Sequence, residues 1–189
     1  MPLEEVFLSI FGLVRPLVRE SSILFNDPFF VVLFSFCLVI ATSILFQEQR
    51  KLPFLAGAVL IALLLGIGFK SFLQEERPCA NAPSKIDCPT DFSLPSMHAL
   101  GAFTLCIIAI GNRSFPIYLI YALFIAFSRV YLGVHTITEV AAGLSLAFFA
   151  CVLAELCFRL MRLEVPQAVH IRHDIGRLPH SFGKSPIDR

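Results

Sequence analysis

The sequence predicts an all-α integral membrane bundle of about five transmembrane helices, preceded by an N-terminal interfacial amphipathic helix. Three observations predict it. Charged residues make up 15% of the 189-residue chain and hydrophobic ones 57%, against about 25% and about 45–50% in soluble domains. Mean hydropathy is +0.79, which leaves too little polar surface to cover a globule in water. Uncharged apolar runs of bilayer length recur along the chain, and each must be a helix, because a lone strand in lipid would leave its backbone groups unsatisfied. The same figures exclude disorder, collagen and coiled coil. A net charge of +1 supplies none of the clustered basic surface of a nucleic-acid binder. The expected partner is therefore the bilayer, with no nucleic acid.

The elements follow in order. Leu3 to Leu24 carries apolar residues at helical spacing, interspersed with Glu4, Glu5, Arg15, Arg19 and Glu20, the pattern of a helix lying in the interface. Its acidic start argues against a signal peptide. Phe29 to Phe46 and Leu52 to Phe69 are uncharged runs of 18 residues each, long enough to cross with little tilt. A third span is expected from about Pro95 to Gly111, a fourth from Phe115 until Arg129 interrupts it, and a fifth from Glu139 to about Phe158. Pro166, Pro179 and Pro186 punctuate a polar tail. The chain thus divides into an amphipathic helix (1–24), a transmembrane core (25–160) and a tail (161–189). His170, His173 and Asp174 are too weak a pattern, in a Pro-broken segment, to make a metal site, and no cofactor is expected.

Five spans put the Gln47–Lys51 loop, the Asn112–Ser114 turn and the tail on one side. That side holds Arg50, Lys51, Arg113, Arg159, Arg162, Arg172, Arg177, Lys184 and Arg189. The opposite side has only Arg15, Arg19, Lys70, Arg77, Lys85 and Arg129. The excess marks the tail side as cytoplasmic, in an inner or plasma membrane. Cys79 and Cys88 bracket a polar loop, CANAPSKIDC, on the other side, where an oxidising compartment would allow a disulfide; the alternative is two free thiols. Asp87 and Asp91 in the outer loop read as solvated or turn-forming.

Ionisable groups at membrane depth are costly and point to function. Three clusters share the non-cytoplasmic face. In Lys70 to Pro78, Lys70 and Arg77 are seven apart, one face of a continuing helix that Pro78 disfavours at Arg77; alone, such residues serve as snorkelling anchors. In Leu94 to His98, Pro95 suits the first helical turn, and the N–H groups of Ser96, Met97 and His98 would face outward as an anion site. In Ser128 to Glu139, His135 and Glu139 are four apart, so the carboxylate can hold one imidazole nitrogen and orient the other. The competing reading pairs Arg129 with Glu139 and leaves His135 a bystander. Together, Lys70, Arg77 and Arg129 stand against Glu139, a surplus that suits a phosphate dianion. A carboxylate-backed imidazole suits a nucleophile, and the second imidazole, His98, a general acid. The sum is a phosphoryl-transfer site.

Lys70–Arg77–Pro78, Pro95–Ser96–Met97–His98, and Ser128–Arg129 with His135 and Glu139 resemble the three signature motifs of the type 2 phosphatidic acid phosphatase superfamily. This superfamily includes lipid phosphate phosphatases, bacterial acid phosphatases and vanadium haloperoxidases. The resemblance covers Lys70 to Glu139 and implies roles. His135 would attack phosphorus to give a phosphohistidine, with Glu139 holding its other nitrogen. His98 would protonate the leaving oxygen and then activate water. Lys70, Arg77, Arg129, Ser96 and the N–H groups at Met97 and His98 would bind the phosphate oxygens, with no metal. The family pattern has Gly where Met97 stands, Asp where Glu139 stands, and six spans instead of five. The expected activity is hydrolysis of a lipid phosphate or pyrophosphate: polyprenyl pyrophosphate, phosphatidylglycerol phosphate, phosphatidate or a lipid A type. The alternatives are a lipid phosphotransferase using the same site and, from another class, an anion-binding transporter.

Overall fold

The computed structural model describes residues 15–161. The start of the amphipathic segment, the tail and its His170, His173 and Asp174 lie outside the described residues. Six helices are described. Helix α1 covers 15–24 and α2 Pro28–Phe46; a short 3-10 turn at Gln49–Lys51 leads into α3, Leu52–Leu73. A second 3-10 turn, Pro78–Ala80, lies in the long loop before α4, Met97–Ile108, which is followed by α5, Phe115–Tyr131, and α6, Ile137–Leu160. There is no strand among the described residues.

The packing is that of a membrane protein. The largest apolar side chains face outward: Phe29 is 76% exposed, Phe72 84% and Leu160 74%. The contact seams are lined by small residues instead, with Ala58, Ala99, Ala122, Ala147, Ala150 and Ala154 all fully buried. In lipid no hydrophobic force drives helices together, so close backbone approach through small residues does the work. Helices α3, α4 and α6 pack mutually, and α5 packs on α4. Helix α2 is peripheral, burying only Val39, Thr42 and Ser43. It is tied to α5 by hydroxyl pairs, Thr42 to Tyr118 at 2.6 Å and Ser35 to Tyr121 at 2.7 Å.

Local sequence explains the ends. Asp27 caps α2, its carboxylate accepting from the Phe30 N–H at 2.9 Å, with Pro28 in the first turn. Thr136 caps α6 in the same way, accepting from the Glu139 N–H at 3.3 Å. At the end away from the long loop, the Ser114 hydroxyl donates to Glu48 at 2.7 Å and Lys51 reaches Asn112. Glu155 and Arg159 pair on α6.

Two elements depart from expectation. The third span is only a 12-residue helix, Met97–Ile108. Its extended N-cap is Ser96, so Pro95 lies before the helix instead of in its first turn. Gly111, at φ +80°, takes the chain around the turn at the far end. The helix rises about 18 Å, well short of the roughly 30 Å hydrocarbon core. Its first turn lies level with Gly66, where an added Cβ would come within 2.6 Å of Met97 Sδ and Leu100 Cδ2. Helix α3 continues another seven residues to Leu73, so α4 begins about 10 Å below the end of α3. The second departure is at Arg77. Helix α3 stops at Leu73, Gln74 turns it off in a left-handed conformation (φ 48°), and Arg77 is extended. Lys70 and Arg77 therefore share no helix face; the loop brings them together.

The loop itself is closed by a disulfide between Cys79 and Cys88, whose Cα atoms are 5.6 Å apart. It is laid over the start of the α5–α6 connection. The Lys85 N–H donates to the Leu132 carbonyl at 3.0 Å, and the Lys85 ammonium sits 3.9 Å from the Tyr131 ring centroid. Gly133, at φ +79°, is where only glycine enters this turn without strain.

Candidate active site

All three clusters meet where α3 ends, α4 and α6 begin, and α5 ends. At the centre is His135, 3% exposed, in the connection between α5 and α6. Its Nδ1 lies 2.6 Å from Glu139 Oε2, in the first turn of α6. The carboxylate thus accepts a hydrogen bond from Nδ1–H, which leaves the Nε2 lone pair for chemistry. Arg77 Nη1 sits 3.1 Å from that Nε2 and donates to the Val134 carbonyl at 3.2 Å. Burial lowers the His135 imidazole below its ordinary 6.5; the bond to Glu139 opposes this, and Arg77 and Arg129 reinforce it. His135 is therefore neutral at pH 7.

The α4 N-terminus supplies the second wall. The Ser96 hydroxyl is fully buried and has no hydrogen-bond partner, and His98 Nε2 is likewise buried and unpartnered. The first ladder bond of α4 runs from the Leu100 N–H to the Ser96 carbonyl at 2.9 Å, so the Met97 and His98 N–H groups are left for an anion, while the Ser96 N–H, expected to join them, is spent elsewhere. Met97 does not line this wall: its side chain packs against Gly66 and the Leu100–Ala62–Ala147–Ala150 cluster. The residue that replaces the family's Gly thus turns toward α3, leaving its N–H at the helix end. The approach of α4 to α6 depends on Gly143, whose added Cβ would meet the Ser96 carbonyl at 3.0 Å and the Leu100 nitrogen at 3.2 Å. At this contact the Ser96 N–H donates to the Glu139 carbonyl at 3.3 Å.

Arg129 forms the third wall, 1% exposed, with its Nε unpartnered. It does not pair with Glu139. Its Nη1 donates instead to Asn26 Oδ1 at 2.9 Å, from the turn between α1 and α2. Ser128 spends its hydroxyl on the Ile125 carbonyl at 2.8 Å and stays out of the site.

Three participants were not anticipated. Asn26 is one. Ser93, fully buried, donates to Glu139 Oε2 and lies 3.5 Å from His135 Nδ1. Asp91, expected to be solvated, accepts from Arg77 Nη2 at 2.6 Å and pairs with Lys70; its backbone carbonyl accepts from Arg77 Nε at 3.0 Å. Burial raises the Asp91 carboxyl, but the bonds from Lys70 and Arg77 outweigh it and hold the group below its ordinary value. Charge arithmetic was the available signal for Asp91: three cations and one carboxylate left a surplus that a neighbouring acid could share. No comparable sequence signal marks Ser93 or Asn26, which reach the site only through the tertiary fold. Among the described residues no group of three or more His, Cys, Asp or Glu side chains has metal-ligand geometry.

The family profile described as the PAP2 superfamily matches residues 51–162. This chain belongs to the PAP2 superfamily. Similar curated PAP2-like proteins include an undecaprenyl-diphosphatase of Sulfolobus acidocaldarius, 34% identical over 56% of this chain and 54% of that protein. A decaprenylphosphoryl-5-phosphoribose phosphatase of Mycobacterium tuberculosis is 27% identical over 58% of this chain and 63% of its own length. The chain thus spans between 54% and 63% of these curated relatives. Two solved structures share the fold. One is a transmembrane PAP2-type phosphatidylglycerolphosphate phosphatase from Bacillus subtilis, with TM-score 0.51 and 18% identity over 80% of this chain and 88% of that one. The other is LpxE of Aquifex aeolicus, with TM-score 0.54 and 23% identity over 82% and 87%.

Proposed function

We propose that the chain is a membrane lipid phosphatase that hydrolyses a phosphate ester or diphosphate through a phosphohistidine, with its site at the periplasmic or exterior face. One observation carries the reading. A carboxylate-backed, neutral imidazole faces three cations, while Ser96 Oγ, His98 Nε2 and Arg129 Nε stand buried without partners. Unsatisfied buried polar atoms are costly, and a phosphate oxygen is the acceptor that Ser96 Oγ and Arg129 Nε lack.

In the first step His135 Nε2 bonds to phosphorus and the bond from phosphorus to the leaving oxygen breaks, with His98 supplying that oxygen's proton. In the second, His98 takes a proton from water as its oxygen displaces Nε2, releasing inorganic phosphate. Glu139 holds Nδ1 throughout and stabilises the imidazolium that develops. Lys70, Arg77, Arg129, Ser96 and the N–H groups of Met97 and His98 hold the non-bridging oxygens. Charge neutralisation by fixed cations and a helix N-terminus takes the part that a metal plays elsewhere. The relatives named for undecaprenyl diphosphate, decaprenylphosphoryl-phosphoribose and phosphatidylglycerolphosphate support a lipid-linked substrate. The excess of Arg and Lys at the opposite end of the bundle supports the exterior orientation and a cytoplasmic C-terminus.

The test is phosphate release by the purified chain from a panel of polyprenyl diphosphate, phosphatidylglycerol phosphate, phosphatidate and lipid A. At least one substrate is expected to release free phosphate without an acceptor lipid and in the presence of EDTA. His135→Ala should lose at least about three orders of magnitude. Equal inertness of wild type and variant on every substrate would overturn the reading, and phosphate appearing only on an acceptor lipid would make the chain a transferase.

A further inference from the structure

Lys70 and Arg77, two of the cations assigned above to the phosphate oxygens, already hold an anion. Asp91 Oδ1 lies 2.6 Å from Arg77 Nη2, and Oδ2 pairs with Lys70. The asymmetry of exposure is informative. The Lys70 and Arg77 side chains are 13% and 6% exposed, while that of Asp91 is 55% exposed. The cations are fixed in the wall, and the carboxylate is the partner that can swing away. The arrangement also engages the nucleophile, because Arg77 Nη1 lies 3.1 Å from His135 Nε2, on the lone pair that must reach phosphorus. An oxygen of phosphate drawing Arg77 toward itself would release that lone pair.

Charge decides which anion wins. With Asp91 in place the site sums to +1, three cations against Asp91 and Glu139; with Asp91 withdrawn it is +2. A terminal phosphate brings two negative charges and three free oxygens, so it outbids a single carboxylate. A phosphodiester headgroup brings one charge, the same as Asp91, and does not.

We propose that Asp91 is an internal competitor for the phosphate seat, a specificity-determining residue that admits terminal phosphates and excludes the phosphodiester headgroups of bulk phospholipid. This rests on the phosphatase reading for its physiological meaning, but its core is a binding statement that needs no turnover. Asp91 surrenders Lys70 and Arg77 when a dianion arrives and reclaims them as product phosphate leaves.

The experiment compares wild type with Asp91→Asn in detergent micelles, measuring inorganic phosphate binding by calorimetry and inhibition of lipid-phosphate hydrolysis by added phosphatidylglycerol. In Asp91→Asn, phosphate is expected to bind about tenfold more tightly, the scale of two lost partly exposed ion pairs. Phosphatidylglycerol should become a clearly stronger competitive inhibitor. Unchanged or weaker phosphate binding would overturn the proposal and make Asp91 a residue that merely positions the two cations. Tighter phosphate binding without a gain in phosphatidylglycerol inhibition would overturn the selectivity. Asp91→Ser carries the same test if Asp91→Asn fails to fold. A wild type that binds phosphate yet hydrolyses no lipid phosphate would count against the enzymatic reading alone, because the calorimetric arm is independent of catalysis.

Discussion

Glu139 Oε2 serves two donors at once, His135 Nδ1 and the Ser93 hydroxyl. Sharing matters because each donor draws charge from the same oxygen. Loss of the Ser93 bond would leave the carboxylate freer to rotate and more basic toward His135, raising the imidazole's affinity for protons. Ser93→Ala is therefore expected to lower kcat about tenfold, in the range found when an outer partner of a reactive group is removed. In the wild type, burial depresses His135 below 6.5, so the neutral form, the reactive one on the proposed mechanism, persists as pH falls through that value and is lost only at lower pH. The acid limb of the pH–rate profile should lie below 6.5 in wild type and move upward in Ser93→Ala; a packing role alone would change melting and leave the limb in place. At this scale the sequence disclosed those residues whose chemistry is rare at membrane depth. Lys70, Arg77, His98, Arg129, His135 and Glu139 stood out because charge is expensive there. Ser93 and Asn26 did not, because neutral polar residues near a span end are common and only the fold shows what they touch.

Among the elements, α4 and α6 determine whether the site assembles. Their crossing is closed by Gly143, and the atoms opposite it are the Ser96 carbonyl and the Leu100 nitrogen, backbone atoms with no rotamer to yield. Gly143→Ala must therefore displace the α4 N-terminus, and with it Ser96 and His98. The shift needed is a few tenths of an ångström, so the expected loss of kcat/KM is about 10-fold, short of the roughly 100-fold a 1 Å misplacement can cost, with Gly68→Ala as control, since nothing lies within 4 Å of its added Cβ. Equal activity of the two variants would show that α4 is positioned by something else. The helices were readable from apolar runs, and their ends less so. The third run continued past both ends of its helix, since hydropathy records what lipid tolerates and cannot see that Ser96 and Gly111 bend the backbone out of the helix. Likewise, spacing counted Lys70 and Arg77 on one helix, whereas Gln74 had already ended it.

For the whole molecule, charge asymmetry and topology make a joint statement about sidedness. The disulfide loop and the site lie at one end of the bundle, and the Gln49–Lys51 turn lies at the other. In intact cells, a membrane-impermeant maleimide should label Ser84→Cys, introduced in the loop, and spare Arg50→Cys until the membrane is broken. The reverse pattern would put the site in the cytoplasm and detach the chain from the exterior pool of lipid phosphates. The bundle's inverted composition, alanine within and phenylalanine without, is the whole-molecule form of what mean hydropathy had indicated.

The brevity of α4 sets the electrical climate of the reaction. Its first turn begins about 10 Å, two helical turns, back along the bundle from the end of α3. Ser96 and Arg129 there are almost wholly buried, and buried surroundings screen charge less than water does. On the proposed mechanism, the buried Arg77 and Arg129 would act on a bound phosphate more strongly than surface cations would. The water that cleaves the phosphohistidine on that mechanism would have to reach His135, only 3% exposed, after the lipid product leaves, which would tie hydrolysis to that departure.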